Sequence, residues 1–153
     1  MGIGKVQSMD YKAVPFEKRI KENIRNYGME NLYSLDTLQE LCKAVAELAQ
    51  VEMLLTERHG EKVISVGSFA GFTPDVVGEP GRKIKVYGRT IAHLYVKEDA
   101  VPDEKRAVVE RLMDGLADTL SHWGEEAYLH TETSIYMDEL EDKVGVQHIQ
   151  TAR

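Results

Sequence analysis

The stretch KIKVYGRTIAHLYV, residues 83–96, decides the fold of this chain. It contains two runs of β-branched and aromatic residues, broken once at Tyr87-Gly88-Arg89. That pattern predicts a β-hairpin with a glycine in its turn. A turn centred on Gly88 and Arg89 would pair Val86 with Ile91. It would also direct a second set of side chains towards the covering helices: Ala92, Leu94 and Val96.

Two amphipathic helices are predicted ahead of the strands. Residues 15–28, PFEKRIKENIRNYG, combine a proline start and a glycine stop with apolar residues at helical spacing: Phe16, Ile20, Ile24 and Tyr27. Residues 35–50, LDTLQELCKAVAELAQ, predict a helix that Asp36 caps. The apolar face of this second helix is predicted to consist of five residues: Leu38, Leu41, Cys42, Val45 and Leu48.

The middle of the chain predicts a further hairpin and then a long loop. Two apolar runs, residues 51–56 and 63–66, flank the sequence RHGE, which is typical of a tight turn. Residues 67–81, GSFAGFTPDVVGEPG, contain four glycines and two prolines, which predicts an irregular segment. Long loops in compact domains are usually functional or disordered.

A long helix is predicted to follow the second hairpin. It begins near Pro102, and its apolar stripe runs from Val109 through Trp123, then less regularly to Leu140. The order of elements is helix, helix, two strands, loop, two strands and helix. This order predicts an α+β domain with an antiparallel sheet of about four to six strands, covered on one face by the N- and C-terminal helices.

Composition and charge exclude several classes of protein. The formal net charge is −7, and residues 125–142 hold seven acids and no Lys or Arg, so the other 19 acids balance the 19 bases. Neither part has the basic stripe that a phosphate backbone requires, so nucleic acid is not an expected partner. Cys42, the single cysteine, excludes an internal disulfide. With no apolar run of about 20 residues and no secretory signal, the sequence predicts a cytoplasmic protein without a membrane span.

Patterns for catalysis and for metal binding are not found in the sequence. The five histidines lack the spacing of metal ligands. His130 and Glu132 are two positions apart and would not share a helix face. No nucleophile lies beside a candidate base. Catalytic residues and metal ligands are therefore not expected, and the identity of any cofactor is left open.

Candidate ligand-binding residues lie in the long loop and the second hairpin: Phe69, Phe72, Tyr87, His93 and Tyr95. The two phenylalanines would close over a ligand as a lid, or would equally well fill the space where a pocket would be. A histidine facing a pocket would bind an acidic ligand group. A half-buried strand histidine bonded to a neighbour is nevertheless the more common arrangement.

The chain resembles a GAF domain, a small-molecule sensor fold related to PAS. The resemblance is carried by a capped helix leading directly into a hairpin and by the phrase IKVYGRTIAHLYV, in which Ala92 occupies the family's usual glycine position. The segment VPDEKRAVVERLMDGLADTLSHWGEEAYL is similar to the family's closing helix. The resemblance implies an N-terminal helical extension, residues 1–34, a sensory domain, residues 35–124, and a helical linker, residues 125–153.

The chain departs from the family in two respects. Only residues 67–81 occupy the interval in which family members have helices that wall the ligand pocket, so the pocket would be reduced or absent. Tetrapyrrole-binding members need an attachment cysteine near the pocket, and members that reduce free methionine sulfoxide need several cysteines. Cys42 meets neither requirement.

The resemblance also implies dimerisation and signalling. GAF domains of bacterial signalling proteins precede an output domain such as a diguanylate cyclase, and a helix that pairs with its copy joins the two. The corresponding seam of this chain is Leu116, Leu120, Trp123, Leu129, Tyr136 and Leu140. The expected function is a homodimeric sensory domain, with a small-molecule ligand left unidentified, that relays a conformational signal to an output domain in the same chain. A ligand-free dimerisation scaffold is the alternative, and a small enzyme with its site in the loop is a third hypothesis.

Overall fold

The computed structural model describes the backbone of residues 15–152 and the side chains of residues 15–142. Residues 1–14 and 153, which belong to the predicted extension and linker, lie outside the described part. The described helices and strands follow in this order: α1 Phe16–Asn23, a 3-10 turn Ile24–Asn26, α2 Met29–Leu32, α3 Leu35–Ala49, β1 Glu52–Glu57, β2 Lys62–Val66, β3 Arg82–Val86, β4 Arg89–Lys97, a 3-10 turn Asp103–Lys105, and α4 Arg106–Ala152.

The four strands form one antiparallel sheet in the order β2-β1-β4-β3. Each hairpin predicted from the sequence is present, and the central strands β1 and β4 belong to different hairpins. The N-terminal helices and α4 lie against this sheet. The predicted α+β class, with an antiparallel sheet of four strands, is therefore confirmed.

The turn of the second hairpin differs by one residue from the prediction. Its central residues are Tyr87 and Gly88, with φ angles of 47° and 79°, and Val86 pairs with Arg89. Two positive φ values are typical of a type I′ turn, whose twist matches the flanking strands. The predicted pairing of Val86 with Ile91 is therefore wrong. A register shift between Ile84 and Lys85 follows, and the predicted helix-facing set is still found in or against the core: Ala92, Leu94 and Val96.

Both faces of the sheet are covered at its centre. Met53, Leu54, Leu55 and Thr56, four consecutive residues of β1, are all buried. Because successive strand side chains point to opposite faces, one face alone could not bury this run. The helices cover the face of Met53 and Leu55, and residues 67–81 cover the other. Most of the candidate ligand-binding residues lie where residues 67–81 cover the sheet.

Helix α3 turns most of its predicted face to the core and departs from the prediction at Leu48, in its last turn. Its cap is Ser34, whose Oγ accepts the N–H of Thr37 at 3.4 Å, and Asp36 lies in the first turn. Its buried residues are Leu38, Cys42, Ala46 and Ala49. Leu48 was predicted to lie in the core, and this prediction is wrong, because its side chain is 82% exposed. The sheet accepts small side chains at the end of this helix, and Leu48 points about 100° away from Ala49.

The first half of α4 lies along β3, the strand at one edge of the sheet. Its buried stripe is Val109, Met113, Leu116, Ala117 and Leu120. The N–H of Lys85 donates to Ser121 Oγ at 3.0 Å, and the N–H of Tyr87 donates to Glu125 Oε2 at 3.1 Å. The long helix therefore satisfies backbone groups that an open sheet edge would leave unpaired.

The second half of α4 extends beyond the sheet and packs against α1. With 47 residues, the helix is roughly 70 Å long at 1.5 Å per residue. The rings of Phe16 and Tyr136 approach to 5.2 Å between centroids, and the Tyr128 hydroxyl donates to the carbonyl oxygen of Ile20. None of the described helices is both long and apolar enough to cross a membrane.

Candidate functional site

Four of the five predicted ligand-binding residues come together where residues 67–81 meet the sheet. The ring centroids of Phe69 and Phe72 are 5.9 Å apart, and those of Phe72 and Tyr95 are 5.2 Å apart. His93 lies beside Tyr95 with 6.4 Å between centroids. Phe69 is only 3% exposed, so these rings fill the interval between the loop and the sheet.

Polar contacts bind the start of this loop to three strands. Lys62 Nζ, on β2, donates to the carbonyl oxygen of Phe69 at 2.5 Å. Lys97, on β4, donates to the carbonyl oxygen of Ser68 and lies 4.4 Å from the centroid of the Phe69 ring. The N–H of Ser68 donates to Glu52 Oε2, on β1, at 3.1 Å. The loop is thus attached to the sheet by charged side chains on both sides of Phe69.

The end of the loop is held by His93 and Tyr95. His93 Nδ1 lies 2.7 Å from the carbonyl oxygen of Pro80, and Nε2 lies 3.3 Å from that of Arg58. The Tyr95 hydroxyl donates to the carbonyl oxygen of Glu79 at 2.9 Å. Both His93 nitrogens therefore face backbone oxygens.

Tyr87, the fifth predicted residue, lies elsewhere, at the turn of the second hairpin. Its ring packs against Tyr128 of α4 with 5.7 Å between centroids. The other side of Tyr128 receives Tyr27, at 4.7 Å in an edge-on arrangement. Three tyrosines thus join the hairpin, α4 and the segment that follows α1.

Glu132 of α4 is a buried carboxylate that the sequence analysis did not select. It is 2% exposed and accepts three hydrogen bonds from the N-terminal segment. Arg19 Nε lies at 3.2 Å, Asn23 Nδ2 at 2.9 Å and the Tyr27 hydroxyl at 2.5 Å. Arg19 also donates to Glu139 at 2.8 Å. We call these residues, Arg19, Asn23, Tyr27 and Glu132, the clasp.

The clasp changes the acidity of its members. Burial raises the pKa of the Glu132 carboxyl, but the hydrogen bonds from Tyr27, Asn23 and Arg19 outweigh burial, so the pKa lies below its ordinary value. Burial, together with the bond to Glu132, raises the pKa of Tyr27 to about 12. The carboxylate and the phenol therefore keep opposite protonation states over a wide pH range. The clasp joins α1 to α4 by charge-assisted hydrogen bonds.

One cleft lies between the segment after α1 and the turn of the first hairpin. It measures about 350 Å³, at the small end of the range for small-molecule sites. Its walls are residues 26–30, residues 57–59, Glu61 and Ile91. Tyr27 therefore lines this cleft and also belongs to the clasp through its hydroxyl.

Arg58 is the unusual residue of this cleft. Its Nη1 is the one buried side-chain nitrogen or oxygen among the described residues that has no hydrogen-bond partner. Glu57, its neighbour, accepts the N–H groups of His59 and Glu61 at 2.6 and 3.0 Å and contacts His59 Nδ1 at 3.0 Å. The nearest acid along the chain is therefore engaged in the turn and not with the guanidinium.

A second, more open cleft of about 430 Å³ lies on the other side of the same segment. It is lined by three cations, Lys21, Arg25 and Arg89, together with Ile24, Tyr87, Gly88 and Thr90. The three cationic side chains are exposed. Arg25 Nε donates to the carbonyl oxygen of Glu22 at 3.1 Å. No group of three or more His, Cys, Asp or Glu side chains within residues 15–142 is placed to hold a metal ion.

The six residues predicted to form a dimer seam are divided by the structure. Leu116 and Leu120 are buried in the core of their own chain. Tyr136 packs against Phe16. Trp123 is 46% exposed and Leu129 is 39% exposed, and Leu140 is half-buried. The predicted seam therefore does not lie on one free face of α4.

The residues missed by the sequence analysis, Glu132 and Arg58, share a cause. Glu132 is one of the seven acids of residues 125–142, and its partners are 105 to 113 residues away in sequence. The available signal was the spacing of Arg19, Asn23 and Tyr27, which places three donors on one helical face. Arg58 was assigned to a turn, and no local pattern marks an arginine that lacks an acidic partner.

The fold and clasp define an α+β domain whose antiparallel sheet carries a long helix that an N-terminal helix holds in place. No protein-family model, no curated protein and no solved structure matches this chain.

Proposed function

We propose that the chain is a cytoplasmic regulatory module, GAF-like in character, that passes a conformational state along α4 to an output domain or to a second copy. The observation that carries the proposal is the continuity of α4 from the sheet to the clasp and beyond. The helix covers β3 with its first half, and among the side chains described up to residue 142 Glu132 is its last buried one, followed by largely exposed positions. One rigid element thus extends from the core of the domain to its outside.

The clasp supplies the element that such a relay requires. A conformational signal needs two arrangements of similar free energy, between which a bias of a few kcal/mol selects. Arg19 and Asn23 of α1 bind Glu132 of α4, and Lys21 of the same helix lines the second, more open cleft, which we call the cationic cleft. A change at the cleft would therefore alter how α1 holds the second half of α4.

The proposal is tested by fusing the full chain, through Arg153, to a diguanylate cyclase catalytic domain. We expect cyclase activity to depend on the helical phase of the junction, with insertion of seven residues preserving activity and insertion of two changing it. Glu132→Gln weakens the clasp, so the fusion that carries it should differ in cyclase activity from the parent fusion.

The matched control is Glu141→Gln, which removes an exposed carboxylate from the same helix. We expect it to leave the activity of the fusion unchanged. Activity that is indifferent both to junction phase and to Glu132→Gln would contradict the relay.

The alternative function, a ligand-free dimerisation scaffold, is favoured by one observation: the aromatic rings of residues 67–81 fill the space between the loop and the sheet. A scaffold would pair through apolar side chains that remain exposed on α4, namely Val108, Leu112 and Trp123. Analytical ultracentrifugation of the full chain distinguishes the two functions. A dimer that Leu112→Asp and Trp123→Asp dissociate, with no effect of Glu132→Gln on the fusion, would favour the scaffold.

A further inference from the structure

Arg58 is held in an arrangement that costs free energy unless a hydrogen-bond acceptor joins it. Its guanidinium makes no hydrogen bond or ion pair with any described residue, and its Nη1 is shielded from solvent without a partner. Buried polar groups are almost always hydrogen-bonded, and the exceptions call for an explanation. The planar guanidinium suits bidentate binding of a carboxylate. A carboxylate from outside the described residues would supply the missing acceptor.

The other charges in the cleft define what else that partner carries. Glu30, Glu57 and Glu61 also line it, so three acidic residues and one arginine line the same cleft. Glu57 is engaged by the turn, but neither Glu30 nor Glu61 has a side-chain partner among the described residues. A multiply charged anion such as phosphate would be repelled by this surround. A positive group next to a carboxylate would be attracted.

We infer that this cleft binds a small zwitterion, a free α-amino acid or a near analogue, with its carboxylate on Arg58 and its ammonium group towards Glu30 and Glu61. The apolar share of the cleft is small, because Met29 and Ile91 are each only 1% exposed. The ligand therefore has a short side chain, which a cleft of about 350 Å³ accommodates together with water.

Occupancy of the cleft has a consequence for the clasp. The ligand would lie against Tyr27, whose hydroxyl donates to Glu132 of α4 at 2.5 Å. Binding would restrain that ring and hold α1 on α4. This consequence rests on the proposed function, whereas the binding itself does not.

The inference is tested by titrating the ¹⁵N-labelled full chain at constant ionic strength with four separate probes: L-alanine, sodium acetate, methylammonium chloride and inorganic phosphate. We expect L-alanine to shift the amide resonances of residues 26–30 and 57–61. We expect its affinity to be at least about tenfold higher than that of acetate or methylammonium, since each of these supplies one charge only. Phosphate should bind most weakly at this cleft.

Two substitutions separate the charges. Arg58→Gln should weaken L-alanine binding at least about tenfold, and Arg111→Gln, which removes an exposed arginine of α4, should not. The double variant Glu30→Gln/Glu61→Gln should reduce the affinity for L-alanine to that for acetate. If Arg58→Gln fails to fold, Arg58→Lys keeps the charge without the fork, and we expect the same loss.

Four results would overturn the inference: no amide shift with L-alanine at any concentration, phosphate binding as tightly as L-alanine, an Arg58 variant with unchanged affinity, or shifts confined to the cationic cleft of Lys21, Arg25 and Arg89. Failure of the relay would give a different result: the cyclase activity of the fusion would not respond to junction phase or to Glu132→Gln. A chain that binds L-alanine but does not relay would retain the site and lose the proposed function.

Discussion

Glu132 is the single residue on which the contact between the two ends of the described chain depends most. Removing one partner of a buried charged pair leaves the other charge without compensation, which costs more than the pair contributes by itself. Here the carboxylate satisfies three donors at once, and Arg19 is its charged partner. The side chain therefore contributes strongly to the contact of α1 with α4.

Glu132→Gln should lower the free energy of unfolding by about 1–3 kcal/mol at pH 7, because a neutral amide bonds less strongly to the donors. The folded-state pKa of Glu132 is below its ordinary value, so its contribution is present above the unfolded pKa of about 4.3 and is lost as pH falls through the folded pKa. Urea unfolding at pH 7, 5 and 3 measures this. The deficit of the variant should shrink at acid pH, and an equal deficit at pH 7 and pH 3 would contradict it. Glu141→Gln should show no deficit.

Cys42 should be almost inert in the folded chain. It is fully buried on α3, and burial raises its pKa to about 11. The thiolate is the nucleophile, and the raised pKa leaves a smaller fraction of it at pH 8. This effect alone should slow labelling by a disulfide reagent more than about a hundredfold relative to the unfolded chain. The variant Cys42→Ala/Ser134→Cys, with its thiol on the exposed face of α4, should label at the rate of a free thiol. Equal labelling rates of Cys42 in the native and the denatured chain would show that its thiol is not buried on the inner face of α3.

At the scale of elements, two of the glycines of α4, Gly115 and Gly124, lie in opposite surroundings. A Cβ at Gly115 would meet nothing within 4 Å, whereas a Cβ at Gly124 would lie 2.5 Å from the Tyr33 hydroxyl and 2.7 Å from Val86 Cγ2. Glycine in a helix interior is less favourable than alanine by about 1 kcal/mol. The close packing of α4 on the hairpin therefore depends on Gly124 and not on Gly115.

Gly115→Ala should raise the free energy of unfolding by up to about 1 kcal/mol. Gly124→Ala should lower it by about 1–3 kcal/mol, because the methyl group enters packed space. The two variants are matched controls for each other, since the substitution and the helix are the same. Urea unfolding decides the signs, and two changes of the same sign would contradict the described approach of Tyr33 and Val86.

The elements of this fold were predictable where the signal is local. Alternating residues and a glycine turn indicate the hairpin of residues 83–96 without reference to anything distant. The turn itself was displaced by one residue, because Tyr87 adopts a positive φ while α4 holds it through Glu125 and Tyr128. Leu48 was assigned to the core because hydrophobicity alone does not tell which of two faces a sheet will accept.

The candidate site was less predictable than the fold, since its chemistry depends on distant pairs. Phe69, Phe72, His93 and Tyr95 were expected to lie near one another, and they do. Their rings, however, fill the space between residues 67–81 and the sheet. The clasp and Arg58 were not expected. A buried carboxylate cannot be recognised until its donors are known, and an unpartnered arginine is defined by what does not approach it.

At the scale of the whole molecule, the sheet and the clasp are supported by different interactions. The sheet is closed by apolar burial on both faces, and Ile20 of α1 belongs to the same core, whereas from Glu132 onwards α1 holds α4 through polar and aromatic contacts. Regions with few buried apolar contacts open at lower free energy than the core. A module that relays a state needs this difference, because the relay element must move without unfolding the body.

Arg19→Ala should therefore loosen one part of the molecule and leave the other intact. It removes the contacts to Glu132 and Glu139 and the cation–π contact to Tyr136. We expect amide hydrogen exchange in α1 and in residues 128–139 of α4 to accelerate about tenfold or more, because a buried carboxylate loses its charged partner. Amides of the central strands β1 and β4 should exchange as in the parent chain, and Arg111→Ala should change neither region. Equal acceleration in the strands would mean that the clasp and the sheet open as one cooperative unit, which leaves no separate element to carry a signal along α4.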